Sequence, residues 1–319
     1  MYNKEYEMIL AKAPMRVSFF GGGSDIPSHY KRWGGSTLST AIDKYVYVAV
    51  GHTPHNHIKI SYAKQEVVTH VNDIKNEIVR NALKYFDIDS NIEINSFADI
   101  PTMGTGLGGS SSFTCALVAA LAEYKELEYN PFQIGETACQ IEIEMCGWNI
   151  GKQDQYAAAF GGMNYIKYYP DDRIKVQKLD ANYIDHYMIL VPTNITRHAA
   201  EILDKINMPD KNSLIMELSK QADFHAEGLP DYDFYAKSLN EAWKMKKSLQ
   251  TDISNPEIDL MYDRCLTAGA KGAKLLGAGG GGYMLALTED KDRIKEAFSD
   301  RVCLDVKIAQ EGAKVVYRD

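Results

Sequence analysis

Residues Pro101 to Ser112 read Pro-Thr-Met-Gly-Thr-Gly-Leu-Gly-Gly-Ser-Ser-Ser, a pattern suited to holding an anion. Four glycines within six positions let the backbone turn tightly and approach a ligand with no Cβ in the way. Beyond the serines, Phe113, Ala116, Leu117, Ala120 and Leu121 recur at helical spacing. The glycines and serines therefore stand where a loop becomes a helix N-terminus, whose unpaired amides and positive dipole end favour phosphate. The backbone of Gly104, Thr105, Gly106, Leu107, Gly108, Gly109, Ser110, Ser111 and Ser112 is the expected cradle, with hydroxyls available to a phosphate-bound Mg²⁺.

Two other phosphate motifs compete for this chain and fit less well. Gly104, Gly106 and Gly109 satisfy G-x-G-x-x-G, but a dinucleotide fingerprint follows a first strand directly and carries an acid at the end of the next strand. Here Pro101 breaks the approach, and Glu123, Glu126 and Glu128 fall on the helix or its exit. Gly151-Lys152 resembles the end of a P-loop, yet no Ser or Thr follows, and Cys146 stands where the first glycine belongs.

Three further segments carry chemistry. Ala13 to Phe20 reads as a short strand, with Arg16 and Ser18 alternating against Val17 and Phe19, and it runs into Gly21-Gly22-Gly23-Ser24-Asp25. Gly151 to Gly162 (Gly-Lys-Gln-Asp-Gln-Tyr-Ala-Ala-Ala-Phe-Gly-Gly) puts an acid, Asp154, at the start of a short apolar helix, where a helix cap is the bland alternative. Lys274 to Gly282 is a third glycine cluster, preceding a strand at Tyr283 to Leu287.

In this order, the four segments resemble the GHMP kinase family, which includes galactokinase, homoserine kinase, mevalonate kinase and phosphomevalonate kinase. The resemblance runs from about residue 11 to about residue 287. Pro101 to Ser112 is similar to the family's P-x(3–4)-G-L-G-S-S signature, with Gly109 in place of the usual first serine. Ala13 to Asp25 is similar to its A-P-G-R-V-N-L-I-G-E-H-T-D opening, except that Gly22-Gly23-Ser24-Asp25 replaces the G-E-H-T-D end. That departure, with the Gly151 to Gly162 block, looks like the branch of D-glycero-D-manno-heptose 7-phosphate kinases and, more distantly, L-fucokinases.

The resemblance implies ATP and Mg²⁺ as cofactors and a sugar phosphate as substrate. The expected product is the 1,7-bisphosphate, a precursor of nucleotide-activated heptose for surface polysaccharide. Another sugar-1-kinase of the same branch is the enzymatic alternative; a non-catalytic sugar or nucleotide sensor is the other. Keeping Asp154, Glu142 and Ser110 together argues against a sensor, which needs no base. Ser110 aligns as the hydroxyl ligand of Mg²⁺, with Ser111 as the alternative. The family's glutamate five residues before a glycine selects Glu142, ahead of Gly147, whereas Glu144 points to another face of the same helix. Asp154 matches the catalytic aspartate, as base or as positioning group, and Arg16 matches the basic residue that offsets charge beside it. Gly22, Gly23, Ser24 and Asp25 are expected at the sugar hydroxyls, with Gly279 and Gly280 also assigned to the substrate. A phosphate already on the sugar calls for a basic pocket from Lys152, Arg197 and His198.

Composition agrees. At 319 residues two domains sharing a cleft are expected, and the resemblance implies an α+β GHMP kinase fold. Residues 1–182 would form an N-terminal ATP-binding domain like ribosomal protein S5 domain 2, and 183–319 a ferredoxin-like C-terminal domain. The net charge of −8 argues against nucleic acid as a partner. The N-terminus lacks a signal-peptide pattern, no run is apolar enough for a membrane, and five scattered cysteines read as reduced, so a cytoplasmic location is expected. His52, His55 and His57 lack nearby Cys or carboxylate partners and read as a turn rather than a zinc site. Phe224, Phe234, Tyr235, Trp243 and Met245 read as core and cleft lining, and adenine is expected between Tyr45 and Asp99.

The elements that must position these groups follow from periodicity. Strands are expected at Tyr45–Gly51, Ile58–Tyr62, Asn91–Ser96, Tyr187–Pro192, Tyr283–Leu287 and Val302–Ile308. A hairpin joins Gly162–Tyr169 to Ile174–Leu179 through Pro170-Asp171-Asp172. Helices are expected at Ile74–Tyr85 and near 110–127, 132–146, 197–207, 212–227, 233–249 and 256–268.

Overall fold

The computed structural model describes residues 8–180, 182–195, 211–228 and 231–319. The expected helix near 197–207 lies outside the described residues, as do Arg197 and His198.

The large sheet is organised by β1 (Met8–Phe20) and β2 (Gly35–His52), antiparallel along almost their whole length. β2 is far longer than the expected Tyr45–Gly51. Its first half is hydroxyl-rich, so it shows no apolar alternation, yet Ser36, Thr37, Ser39 and Thr40 are fully buried. That half pairs with β6 (Met163–Tyr168), and its second half pairs with β5 (Ile92–Ala98). β3 (Ile58–Ser61) and β4 (Gln65–Val68) extend the β5 side, and β7 (Ile174–Leu179) completes the expected hairpin with β6.

Helices α2 (Glu77–Tyr85), α3 (Gly109–Tyr124), α4 (Pro131–Cys139) and α5 (Gln153–Phe160) follow, while the short α1 (Pro27–Trp33) leads out of the first glycine turn. The expected helix over 132–146 is not uniform: past α4, Gln140–Met145 widens into a π-helical turn. Such a turn displaces side chains from α-helical positions and recurs at functional sites; here it contains Glu142.

The smaller sheet has the strand order β11-β8-β10-β9, from β8 (Met188–Pro192), β9 (Gly272–Leu275), β10 (Tyr283–Leu287) and β11 (Leu304–Asp305). With α6 (Asn212–Glu227), α7 (Tyr232–Leu249) and α8 (Pro256–Thr267) between its first two strands, and α9 (Lys291–Ala297) before its last, it traces the split βαβ pattern of ferredoxin-like units. The expected strand Val302–Ile308 shrinks to β11 and one bridge from Ile308 to Ile42. The chain then returns, and β12 (Lys314–Arg318) pairs with β1 in the large sheet.

β1 links two cores. Ile9, Ala11 and Ala13 pack with α2 and α3, whereas Met15, Val17 and Phe19 join Tyr235, Leu239 and Trp243 of α7 in the core of the smaller sheet. The change falls where β1–β2 pairing shifts register between Pro14 and Met15. The alternate residues Arg16 and Ser18 face α3 and α5 instead, and this places them at the candidate site.

Candidate active site

α3 begins at Gly108, the N-cap, with φ 71° and ψ 23° and no capping side chain. Only glycine adopts that left-handed conformation without strain. A helix leaves its first amides without internal partners, and here these are the Gly109, Ser110 and Ser111 N–H groups. The preceding loop is fixed from three sides. Leu107 is buried in the core, and its carbonyl accepts the Arg16 amide at 2.9 Å. The Ser112 hydroxyl donates to Pro14 O at 2.8 Å. A Cβ on Gly109 would lie 2.4 Å from Thr102 O.

The contacts on β1 and on Thr102 form two of these sides, and the C-terminal glycine cluster is the third. A Cβ on Gly277 would lie 2.5 Å from Gly106 Cα, and one on Gly282 would lie 2.4 Å from Thr105 O. The Tyr283 amide donates to Thr105 O at 3.0 Å. Backbone rests on backbone here, so the cluster braces the first loop from the smaller sheet. Gly279 and Gly280, expected at the substrate, sit against Ile253: the Gly280 amide donates to Ile253 O at 2.9 Å, and a Cβ on Gly279 would lie 2.8 Å from Ile253 Cα.

Arg16 and Asp154 meet beneath this loop. Arg16 Nε donates to Asp154 Oδ1 at 2.7 Å and its NH2 to Oδ2 at 2.6 Å, while NH1 donates to Gly106 O at 2.6 Å. The planar fork holds the carboxylate in one orientation, which a lysine would not do. The Arg16 side chain is 6% exposed and that of Asp154 27%, so the carboxylate is the open member of the pair. Asp154 is not a helix cap, because the N-cap of α5 is Lys152.

Glu142 is fully buried and ringed by donors. Ser110 and Thr114 hydroxyls donate to Oε1 at 3.1 and 2.8 Å, and the Ser111 hydroxyl donates to Oε2 at 2.8 Å, alongside the Gln155 amide. Burial pushes its carboxyl up from the ordinary value, and the hydroxyl donors oppose the shift. Among the described residues no Lys or Arg pairs with it. A buried carboxylate without a cation, beside an exposed serine hydroxyl in the first turn of α3, is a hard-oxygen donor set that fits Mg²⁺. Glu144, two residues on, is exposed. Thr114 and Gln155 escape sequence reasoning, although Thr114 lies one helical turn beyond Ser110 and Gln155 follows Asp154.

The Gly22 to Asp25 turn is fastened both to β2 and to α5. Ser24 is fully buried; its hydroxyl donates to Gly21 O and Ser36 O at 2.8 and 3.0 Å and accepts from the Ser36 amide, so it fastens the turn to β2. Asp25 accepts the amides of Gly23 at 2.9 Å and Gln153 at 3.0 Å, tying the turn to the start of α5. Burial pushes its carboxyl up, against the lowering effect of the Gln153 amide. Gly22 and Gly23 are half-buried, and Gly22 is the neighbour of the Ser18 hydroxyl, which donates to Gln153 Oε1 at 3.1 Å. Lys152 faces Glu136, with Nζ 3.8 Å from Oε1.

The chain matches the description "GHMP kinases N terminal domain" over residues 72–162 and "GHMP kinases C terminal" over residues 230–302. It is 30% identical to D-glycero-alpha-D-manno-heptose 7-phosphate kinase of Campylobacter jejuni over 86% of this chain and 88% of the relative. It is 24% identical to a bifunctional fucokinase/GDP-fucose pyrophosphorylase of Arabidopsis thaliana, over 92% of this chain and 31% of that longer protein. A D-glycero-D-manno-heptose 1-phosphate kinase structure from Bacteriodes thetaiotaomicron superposes with a TM-score of 0.78 at 22% identity, covering 97% of this chain and 99% of the other, a likeness of fold.

Proposed function

The chain belongs to the GHMP kinases, is a sugar kinase that uses ATP, and we propose that it phosphorylates the anomeric hydroxyl of D-glycero-D-manno-heptose 7-phosphate. The observation that carries the catalytic part is the Arg16–Asp154 pair under Gly108: a Cβ there would lie 3.2 Å from Asp154 Oδ2. The aspartate is thus held against the start of the helix assigned to the phosphates. Support for the sugar is the 30% identity to the Campylobacter jejuni enzyme.

In this reading the Gly109, Ser110 and Ser111 amides hold the phosphates of ATP, and the loop from Gly104 to Ser112 shapes their path. Ser110 and Glu142 would hold Mg²⁺, with Ser111, Thr114 and Gln155 orienting the glutamate. When bound, the ion would supply positive charge to offset that of the phosphates. Asp154 aligns the sugar hydroxyl and takes its proton, late in a loose transition state that needs little early deprotonation. Arg16 keeps that carboxylate oriented. Gly22, Gly23 and Asp25 shape the sugar pocket through backbone and turn geometry, and Lys152 with Arg197 supplies positive charge for the phosphate already on the sugar. We place the reaction in the cytoplasm; among the described residues no helix is long and apolar enough to cross a membrane.

A coupled ADP-release assay with ATP·Mg²⁺ tests the substrate. Turnover with the heptose 7-phosphate and none with the unphosphorylated heptose or L-fucose is the expected result. Turnover of L-fucose alone would move the enzyme to the fucokinase side and remove the need for a basic pocket.

A further inference from the structure

Two lysines outside the assigned machinery lie directly behind the glycine loops. Lys274, on β9, is buried, and its Nζ donates to Ser18 O at 3.2 Å and Phe19 O at 2.5 Å, where β1 enters the first glycine turn. Lys246, on α7, is half-buried and donates to Leu275 O at 2.9 Å and Gly277 O at 2.5 Å. Gly277 is the residue stacked on Gly106, so Lys246 stands one backbone layer behind the phosphate loop. Among the described residues both ammonium groups find only carbonyl oxygens, and neither meets a carboxylate.

Burying an ammonium without a counter-charge is costly, because carbonyl dipoles replace only part of its hydration. The charged groups that face the pair are cationic: Arg16 from β1 for both, and Lys274 for Lys246. Arg16 is already neutralised by Asp154. Lys247, the next residue on α7, is paired with Asp259, and the Trp243 ring lies 5.8 Å from Lys246 Nζ. Cationic side chains are therefore gathered behind the loops, and among the described residues none of them but Arg16 meets an anion there.

We propose that Lys246 and Lys274 are positioning residues whose missing counter-ion is the polyphosphate of ATP, so that nucleotide binding is coupled to proton uptake by this pair. The proposal rests on reading Gly104–Ser112 as the phosphate cradle. In the free protein burial pulls the Lys274 ammonium down to about 7, with Arg16 adding to the shift, and pulls Lys246 well down too. An anion arriving across one backbone layer reverses that shift and restores the protonated form. The lysines touch no substrate in this account. They stiffen the junction of β1, β9 and the glycine loops while adding attraction for the phosphates.

The test is calorimetric titration of ATP·Mg²⁺ into the full chain at pH 8, in buffers of different ionisation enthalpy. At that pH the nucleotide is fully ionised, so proton exchange reports the protein. The expected result is net uptake of roughly half a proton per nucleotide, reduced at least twofold in Lys274→Met and lowered in Lys246→Met. Binding with no proton uptake by the wild-type protein, a measurement that needs no variant to fold, would overturn this proposal alone. Uptake unchanged in both variants would likewise overturn it, assigning the proton elsewhere. Failure of ATP to bind would overturn the cradle reading with it.

Discussion

Arg16 and Asp154 stand 138 residues apart in the chain, yet two parallel hydrogen bonds of 2.7 and 2.6 Å join them. β1 supplies the guanidinium and the first turn of α5 the carboxylate, so the pair exists only when the large sheet and that helix are docked. Its third donor, on Gly106 O, carries the same constraint into the Gly104–Ser112 loop.

Asp154→Asn keeps shape and removes charge. Its amide cannot accept both Arg16 donors, nor can it accept the sugar's proton. Steady-state kinetics should show kcat reduced by about 10²–10⁴-fold. Nucleotide affinity, read by titration, should change by less than about threefold, since the amides of α3 are untouched. A variant with wild-type kcat would remove Asp154 from catalysis.

Glu142→Gln should separate stability from activity. Burial raises the Glu142 carboxyl from its ordinary 4.5. The folded state therefore binds its proton more tightly than the unfolded state, and this contribution to stability is present below pH 4.5 and lost as pH rises through the raised value. A neutral glutamine escapes that loss, and the Ser110 and Thr114 hydroxyls can rotate to accept from its amide. In metal-free buffer at pH 7.5 its melting temperature should equal or exceed that of wild type, with Mg²⁺-supported turnover strongly reduced. A large fall in melting temperature would show that the ionised carboxylate is structurally required.

Gly106→Val tests the contact between the two glycine loops. Its Cβ would meet Leu276 O at 2.7 Å, at a φ of +72° that a β-branched residue avoids. The KM for ATP should rise at least about tenfold, and stability should fall by about 1–3 kcal/mol in denaturant titration. Wild-type values for both would mean that the loops slide past one another freely.

Gly151→Ala should act at a distance from the nucleotide. Its Cβ would fall 1.8 Å from Asp25 Oδ2, so the carboxylate must leave the Gln153 amide and release the start of α5. Thermal unfolding should show a loss above about 2 kcal/mol, and kcat should fall because Asp154 is on the same turn. Unchanged unfolding would show that Asp25 does not hold that helix.

His225 sets an acid limit. It is buried, stacks on Phe20 with centroids 4.3 Å apart, and burial pulls its pKa from 6.5 down to about 4. The unfolded chain binds the proton first, so stability is fully present above pH 6.5 and falls between 6.5 and about 4. His225→Phe should flatten the melting temperature over that window. An equal pH dependence in both proteins would assign the acid sensitivity to other groups.

The sequence by itself determined the motifs and the elements that carry regular patterns. α6 and β10 fall where periodicity places them, and α7 and α8 do so within a residue, because one apolar stripe or one alternation sets each of them. The glycine and serine run marked the α3 N-terminus because local chemistry decides a loop-to-helix junction. Tertiary structure decided the rest. The first half of β2 carries hydroxyls that pairing with β1 and β6 buries, a fact no local pattern holds. The π-helical turn turns Glu142 toward α3 and α5, where Thr114 and Gln155 join Ser110 and Ser111 on it. Gly277 and Gly282 brace the first loop through backbone contacts that span more than 170 residues of chain. Spacing along a chain reports which groups can turn together; which surfaces come to rest on one another is settled only by packing.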